Sequence, residues 1–573
     1  MDNKIKNCKN VQEKLQRFAL PKGAALKAGK WGIAYTVYAG LIVLLTLICI
    51  GVIAGYILGP MEGYLHADYT DTIYWANASF ESGKVFNHDF KYAALLPFSA
   101  NLWFIPLIAI FGVSMTTQVI GMIVFLLLFV ASMYFMLRSF GWSIPWTGAS
   151  IIITTLIMSG SDKLREMMWG HVIYYSLALL LFCLGLGAIK HLSDAKIGLN
   201  FKSITLIVLT ALLFIGTATD GFQIIALVTI PCLGALIAEY ICDRKNKLVS
   251  MEAIKVYSIE VGILISTLIG LSLLSVWKGD LNADYTNIYS NIAPLGEWWS
   301  NLTEFPKKYL SLMGVDHSQS IPIFDVDTLM MLIKMVAAIT CLVLPIVLLF
   351  NYKKIEEKGT RLLLWGHIIL SAATMFGFVC GYLSGGSSTN WRITTMAGSG
   401  VLTSIAAVKF FIGRWKEESG IVGARIMAVV CALLVAGSSV NALQIARMPR
   451  DYGRDNALHK LTEVLEENGL EYGYATFWRS QAITLLSDSR VKTRMILADG
   501  VDGIYTDYYQ NCYSWYDGVE GVDRYFVLLS AGEDFEVSLN DEWEKFKSEN
   551  PHEVIELDGY VIYVFDRNIE INK

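Results

Sequence analysis

Two acidic residues that follow the first apolar run of the chain have a spacing that suits acid–base chemistry. Asp68 and Asp71 stand at positions i and i+3, so they share one face if the segment is helical. They lie close to the end of the apolar run, at the depth where the phosphate of a lipid would sit. A carboxylate there can act as a general base on an acceptor hydroxyl. The spacing leaves open a plainer alternative, in which both acids are solvated and cap an interfacial helix.

A second group of charges lies in the segment 161–171. Asp162, Lys163, Arg165 and Glu166 stand close together there, and His171 opens the next apolar run. Arg165 could bind a phosphate, because its planar guanidinium can donate to two oxygens, and Asp162 or Glu166 could bind a sugar or an acceptor. The alternative is a salt-bridged turn followed by an interfacial histidine.

The composition shows what kind of protein must position these residues. Hydrophobic residues make up 54% of the 573-residue chain and charged residues only 17%, whereas a typical soluble protein has about 25% charged residues. The net charge of −5 leaves no basic excess for binding a polyanion. These values exclude a disordered chain, a nucleic-acid-binding protein and an ordinary cytosolic enzyme, and they leave a polytopic membrane protein.

Apolar runs of the length that a membrane-spanning helix needs recur along the first 450 residues. They predict 11 spans, near 32–58, 116–137, 145–160, 172–189, 203–219, 222–238, 256–277, 328–350, 362–383, 393–412 and 422–444. A further apolar run, 102–113, is shorter and contains Pro106. We expect it to lie against the membrane rather than to cross it.

The distribution of Lys and Arg predicts the orientation. With 102–113 outside the set of spans, one set of loops carries about twice as many basic residues as the other, including the dense cluster 244–247. By the positive-inside rule the basic loops face the cytoplasm. We therefore expect a plasma-membrane protein with a cytoplasmic basic segment 1–30 and a transmembrane domain 31–449. Its external loops would be 60–115, 161–171, 278–327 and 384–392.

The remainder of the chain, 450–573, is polar and contains no apolar run of spanning length. Five short strand-like runs (472–477, 490–496, 525–530, 554–557 and 560–565) alternate there with helix-like runs (456–468, 479–486 and 541–547). They predict a small extracytoplasmic α/β domain.

The first external loop resembles that of the membrane glycosyltransferases of the C-type fold (GT-C). This superfamily uses polyprenyl-phosphate sugars and includes the protein mannosyltransferases and the aminoarabinose transferases. Asp68, Ala76 and Gly83 match the family's acid–Ala–Gly offsets, Pro97 stands where a Lys-Pro-Pro-Leu run is frequent, and Phe111-Gly112 ends the pattern. The chain departs from the pattern in two places: Tyr69 stands where the acidic residue is often followed by Glu, and the basic residue nearest to Pro97 is Lys91, six positions before it.

The resemblance implies a fold of about 11 transmembrane helices with a C-terminal external domain, and it implies roles for single residues. Asp68 or Asp71 would be the catalytic base, and Asp162 or Glu166 would belong to a second acidic patch. Arg392, at the outer start of a late span, would bind the donor phosphate together with Arg165 or Lys91, and His171 would lie near the substrate. Arg392 could instead be an interfacial residue beside Trp391.

The expected partners are a polyprenyl-phosphate-linked sugar as the donor, a glycan or lipid as the acceptor, and membrane lipids, with no nucleic acid. The sequence contains no recognisable set of metal ligands, so we predict no cofactor. Carboxylates and phosphate would nevertheless suit a divalent cation such as Mg²⁺ or Mn²⁺. Two other functions stay open at this point, namely a lipid-linked glycan flippase or transporter and a non-catalytic membrane scaffold. The scarcity of ionisable residues within the spans argues against a proton-driven transporter.

Overall fold

The computed structural model describes residues 30–92, 98–195, 201–243, 248–281, 291–315, 320, 322–383, 389–415, 421–517, 519, 521–569 and 571. Several sequence predictions concern residues outside these ranges. Pro97 and the basic cluster 244–247 are not described, and of the predicted cytoplasmic segment 1–30 only Lys30 is described. The predicted external loops 278–327 and 384–392 are described in part.

The described residues contain ten helices that are long and apolar enough to cross a membrane, or eleven if one bent pair counts as a single span. The predicted polytopic α-helical fold is therefore confirmed. The fourteen main helices of this region are α1 (Lys30–Ile57), α2 (Asp71–Ser82), α3 (Asn101–Phe111), α4 (Met115–Ser139), α5 (Ile144–Ile157), α6 (Tyr174–Asp194), α7 (Phe201–Thr219), α8 (Ile230–Cys242), α9 (Met251–Lys278), α10 (Leu295–Leu312), α11 (Val326–Phe350), α12 (Lys358–Val379), α13 (Thr394–Gly413) and α14 (Ile421–Ala446).

The predicted span 145–160 corresponds to the bent pair. Helix α5 ends at Ile157 after 14 residues, which is fewer than a crossing needs. The chain then bends by 119° into the short helical turns of Asp162–Gly170. Gly160 lies at the bend, where a Cβ atom would come within 2.9 Å of the Asn441 side chain and 3.2 Å of the Met313 carbonyl oxygen. This close packing holds the charged segment 162–170 against the bundle.

The short apolar run 102–113 forms α3, which has 11 residues. This length is well below that of a spanning helix, in agreement with the prediction that the run does not cross. The helix after it begins where Ser114 accepts a hydrogen bond from the Thr117 amide at 3.2 Å.

Two helices form the centre of the bundle. In α6, 83% of the apolar window is buried, and in the stretch that contains α13 the value is 72%, whereas it is 22% in α1. The segment before α6 carries His171, and the segment before α13 carries Arg392. Two of the candidate site residues therefore lie just before the two most enclosed helices.

The C-terminal region forms a mixed six-stranded sheet with helices beside it. The elements are α15 (Ala457–Glu467), β1 (Tyr472–Thr476), α16 (Phe477–Leu486), β2 (Lys492–Asp499), β3 (Gly503–Thr506), β4 (Tyr525–Ser530), α17 (Ala531–Val537), α18 (Asp541–Glu549), β5 (His552–Leu557) and β6 (Tyr560–Phe565). The strand order is β3-β2-β1-β4-β6-β5. Strand β1 pairs in parallel with β2 and β4, and the other three pairs are antiparallel. The sequence predicted five of these strands and missed β3, and it missed α17 among the helices.

This domain is attached directly to the first long loop of the bundle. Phe90 forms a β-bridge with Cys512, and Lys91 forms one with Tyr509. The Asn456 side chain donates to the carbonyl oxygen of Gly63 at 2.7 Å. The loop that carries Asp68 and Asp71 therefore lies between the bundle and the sheet domain.

Candidate active site

The two acids of the first loop belong to different elements. Asp68 lies in the 3₁₀ turn Ala67–Thr70, and Asp71 is the first residue of α2. The Asp68 side chain is 36% exposed and faces His66, whose Nδ1 lies 3.9 Å from Asp68 Oδ2. Asp71 Oδ1 accepts a hydrogen bond at 2.7 Å from the side-chain amide of Gln510 in the C-terminal domain. Asp68 therefore remains accessible, whereas Asp71 is bound to the sheet domain.

Gln510 is the centre of a buried polar network below this loop. Its Oε1 accepts from the indole nitrogen of Trp75 at 2.6 Å, and its backbone carbonyl accepts from the side chain of Gln481. Gln481 in turn accepts from the hydroxyl of Thr70 at 2.9 Å. The C-terminal domain thus fixes the start of α2 through side chains that the sequence analysis did not identify.

Hydrogen bonds join the first loop to the segment 166–172. The Thr72 hydroxyl donates to the carbonyl of Val172 and accepts from its amide, both at 3.1 Å. The amide of Gln118 donates to the carbonyl oxygens of Tyr69 at 3.0 Å and Gly170 at 2.5 Å. A Cβ atom on Gly170 would lie 2.3 Å from the Tyr69 ring. The two segments therefore pack so closely that only glycine fits at the contact.

This packing brings Glu166 next to the first loop. Glu166 Oε2 lies 3.5 Å from His66 Nε2, so His66 stands between Glu166 and Asp68. The Lys163 ammonium contacts both Glu166 oxygens, at 2.8 and 2.6 Å. The structure thereby brings together two acids that the sequence placed in separate loops, through a histidine that the sequence analysis did not select. Its position two residues before Asp68 was the available signal.

His66, Asp68 and Glu166 could hold a metal ion. One ligand atom from each lies within 4.8 Å of the others, and His66 Nδ1 has no hydrogen-bond partner among the described residues. An imidazole with two carboxylates suits Mn²⁺ or Zn²⁺ better than Mg²⁺, which prefers oxygen ligands. Lys163 already neutralises Glu166, so a cation would compete with its ammonium group. The residues fit a divalent cation, and the sequence prediction of no cofactor stays a prediction.

The electrostatic environment shifts the pKa values of the three acids in different directions. Burial and the nearby charge of Glu166 raise the pKa of Asp68. Burial and the charge of Asp68 raise the pKa of Asp71 well above its usual range, although the bond from Gln510 opposes the rise. Glu166 differs, because His66 and Lys163 outweigh its burial and lower its pKa to about 2. Glu166 is thus a permanent anion, and Asp68 is a carboxylate with enhanced basicity.

His171 lies directly beside this cluster. Its ring stacks on Tyr69 at a centroid distance of 5.9 Å. Burial lowers the pKa of His171 to about 4, despite the nearby charge of Glu166. The imidazole is therefore neutral at physiological pH.

Two of the predicted phosphate ligands are engaged within the protein. Arg165 is buried, forms an ion pair with Asp162 and donates to the carbonyl oxygen of Ser159 at 3.0 Å. Lys91 forms an ion pair with Asp507 of the C-terminal domain at 3.1 Å. Asp162 itself is largely exposed.

Arg392 lies before α13, as the sequence placed it, and its guanidinium packs on the Trp391 ring at 5.1 Å. One guanidinium nitrogen donates to the carbonyl oxygen of Tyr382 at 3.0 Å. Trp391 meets Tyr175 edge to face at 5.2 Å. The residues 385–388 before Arg392 lie outside the described ranges. A second cation, Lys308 on α10, is close enough that the charge of Arg392, after burial, helps to lower its pKa.

Solved structures identify the fold. The crystal structure of ArnT from Cupriavidus metallidurans in the apo state is similar over 93% of this chain and 98% of the ArnT chain, at 11% sequence identity and a TM-score of 0.52. The structure of the same protein bound to undecaprenyl phosphate matches 92% of this chain and 98% of its own, at 11% sequence identity and a TM-score of 0.51. The Archaeoglobus fulgidus oligosaccharyltransferase in its apo form is less similar, with 10% identity, a TM-score of 0.47 and coverage of 92% and 75%. Neither a protein-family model nor a curated protein sequence matches the chain. The chain therefore has the GT-C fold that its first loop predicts.

Proposed function

We propose that this protein is a membrane glycosyltransferase that moves a sugar from a polyprenyl-phosphate donor to a hydroxyl of an extracytoplasmic glycan or lipid. The observation that carries the proposal is the convergence of Asp68, His66 and Glu166 at one place on a GT-C bundle. The fold adds support, because ArnT, which shares it, has been crystallised with undecaprenyl phosphate.

The proposed reaction is a single displacement with Asp68 as the general base. Asp68 takes the proton of the acceptor hydroxyl, and the oxygen forms a bond to the anomeric carbon of the sugar. The bond from this carbon to the phosphate oxygen breaks, and polyprenyl phosphate leaves with the electron pair, so the sugar carbon is inverted. Asp68 is preferred over Asp71 because it is partly exposed, whereas Asp71 is bound to Gln510. Its raised pKa also makes Asp68 a stronger base than an ordinary carboxylate.

Glu166 and His66 would position the base. Glu166 keeps its negative charge and lies against His66, which in turn faces Asp68. A divalent cation held by His66 and the two carboxylates would add positive charge at the site. It would also lower the basicity of Asp68, so the proposed reaction does not include it. Asp71 would act indirectly, because its bond to Gln510 fixes the start of α2 against the C-terminal domain.

Arg392 is the preferred ligand of the donor phosphate. It is held by Trp391 and Tyr382 just before a central helix, and Lys308 adds a second positive charge nearby. Preorganised positive charge lowers the energy of a leaving phosphate most where water is excluded. Arg165 and Lys91 would have a structural role. Lys91 pairs with Asp507 of the C-terminal domain, and the buried Arg165 pairs with Asp162 in its own turn and donates to the carbonyl oxygen of Ser159.

The test is sugar transfer by membranes supplied with a lipid-linked sugar, with the Asp68→Asn and Asp71→Asn variants compared with wild type. We expect Asp68→Asn to reduce transfer by about 100-fold or more, as for loss of a general base. Asp455→Asn is the matched control, because its side chain is 96% exposed and belongs to the segment after α14. Unchanged transfer in both the Asp68 and Asp71 variants would refute the proposal. Movement of the lipid-linked sugar across vesicles without transfer would instead identify a flippase.

A further inference from the structure

A cavity of about 650 Å³ lies at the end of the bundle opposite to the C-terminal domain. Its walls are the segments 140–146, 354–360 and 409–414 together with Lys190, and we call it the basic cavity. These segments follow α4, precede α12 and end α13, whereas the site above lies at the other ends of the helices. The proposed catalytic function makes no use of the basic cavity.

The lining of the basic cavity is strongly cationic. Five Lys and Arg side chains line it, against the two carboxylates of Glu356 and Glu357. Two of the cations are deeply placed, since the side chains of Lys190 and Lys409 are only 9% and 16% exposed. Burying ammonium groups is costly unless they meet negative charge. The cavity therefore favours an anion.

The carboxylates that pair with these two lysines are themselves open to solvent. Lys190 pairs with Asp194, whose side chain is 55% exposed, and Lys409 pairs with Glu357, whose side chain is 50% exposed. A half-exposed carboxylate can rotate fully into water at little energetic cost, whereas its buried lysine stays in place. An incoming phosphate oxygen can thus replace either carboxylate without movement of the cation.

Backbone amides add to the positive potential. Helix α12 has 22 residues, and its first three, Lys358, Gly359 and Thr360, line the cavity. Its N-cap residue, Glu357, accepts a hydrogen bond from the Thr360 hydroxyl at 3.0 Å but caps none of the backbone amides of the first turn. The amide groups of the first turn and the helix dipole therefore favour an anion at this wall.

Aromatic and apolar side chains complete the site. Trp146, Phe140 and Phe410 line the cavity, and the ammonium group of Lys409 lies 5.1 Å from the ring centre of Trp142. Tryptophan beside lysine at the end of spanning helices is typical of the membrane–water interface. A ligand with a phosphate next to hydrocarbon would match both parts of the lining.

We propose that the basic cavity binds the phosphate headgroup of an anionic phospholipid from the leaflet opposite to the C-terminal domain. Lys190, Lys354 and Lys409 contact the phosphate, the first turn of α12 donates to it, and the acyl chains lie along the adjacent helices. Basic pockets between spanning helices are known to bind acidic lipid headgroups. The alternative source of the same chemistry is a soluble phosphate compound.

The experiment measures lipid binding to the full chain in detergent by native mass spectrometry, with phosphatidylglycerol compared with phosphatidylcholine. We expect selective retention of phosphatidylglycerol. The variant with both Lys354→Gln and Lys409→Gln should weaken this binding at least about tenfold. Lys353→Gln is the matched control, because Lys353 is exposed, adjoins Lys354 and does not line the cavity. The unfolding temperature of each variant serves to verify that it is folded.

Three results would overturn the proposal. They are equal binding of the two lipids by wild type, unchanged phosphatidylglycerol binding by the folded double variant, and displacement of phosphatidylglycerol by inorganic phosphate with the same dependence on the lysines. The last result would assign the cavity to a soluble anion instead.

Discussion

The substitution Glu166→Gln tests whether a permanent anion holds the candidate site together. Glutamine has nearly the same shape but cannot carry the charge that meets Lys163 and His66. These partners lower the pKa of Glu166 from 4.5 to about 2, which corresponds to roughly 3 kcal/mol in favour of the ionised form. The Glu166 side chain is only 7% exposed, so solvent screens these interactions little. We therefore expect the variant to lose about 3 kcal/mol of unfolding free energy at pH 7.

The pH dependence of this loss follows from the direction of the shift. The folded pKa lies below the unfolded value, so the stabilisation is complete above about pH 4.5 and fades as the pH falls through about 2. The difference between wild type and Glu166→Gln should accordingly shrink to less than half at about pH 3. Reversible unfolding in mixed micelles, followed by tryptophan fluorescence at several pH values, gives this difference directly.

Two further variants make the experiment selective. Glu463→Gln is the control, since Glu463 is exposed on α15, and it should change stability little. In a double-mutant cycle, Lys163→Gln should cost clearly less in the Glu166→Gln background than in wild type. A loss below about 0.5 kcal/mol at pH 7, the size typical of an exposed ion pair, would refute the reasoning. A loss that does not change with pH would refute it as well.

Two other substitutions test how the loop is built. Asp71→Asn keeps an acceptor for the side-chain amide of Gln510 and removes a charge that burial and Asp68 disfavour. It should therefore raise the unfolding temperature at pH 8. Below the usual pKa range of Asp it should have no such effect, because the wild-type residue is also neutral there. A lower unfolding temperature at pH 8 would contradict the assigned direction of the pKa. Gly170→Ala places a methyl group 2.3 Å from the Tyr69 ring. It should lower stability by about 1–3 kcal/mol and reduce sugar transfer. Gly216→Ala, where no described atom lies within 4 Å of the added methyl group, should leave transfer intact, and equal effects of the two variants would argue against the close contact of the loops.

The sequence was sufficient for the membrane architecture. In a bilayer every backbone amide must be hydrogen-bonded within its own segment, so apolar runs of sufficient length become helices regardless of their neighbours. This local rule predicted the spans and the short helix α3. The rule was least accurate at 145–160, because the packing of Gly160 against α14 and the end of α10 bends the chain there.

Within the candidate site, the sequence predicted the positions of single residues along the chain but not their partners in space. The sequence placed Asp68, Asp71 and Arg392 next to the ends of spans, which follows from their positions along the chain. It could not distinguish the two aspartates, because the distinction arises from Gln510, which is 439 positions from Asp71. It also named Lys91, as an alternative to Arg165, for contact with the donor phosphate, whereas in the fold Lys91 pairs with Asp507, 416 positions away. Partners at such separations leave no periodic signal in the sequence.

The sequence by itself thus determined that this is a helical membrane protein with the GT-C fold, with acids after its first span and a small α/β domain at its C-terminus. Only the tertiary structure decided which of its charges meet. The bonds between Thr72 and Val172 join segments 100 positions apart, and they place Glu166 beside His66 and Asp68. The physical reason is that the formation of a span depends on hydrogen bonds and hydration within about 20 residues, whereas the basicity of a carboxylate depends on burial and on the charges around it in space.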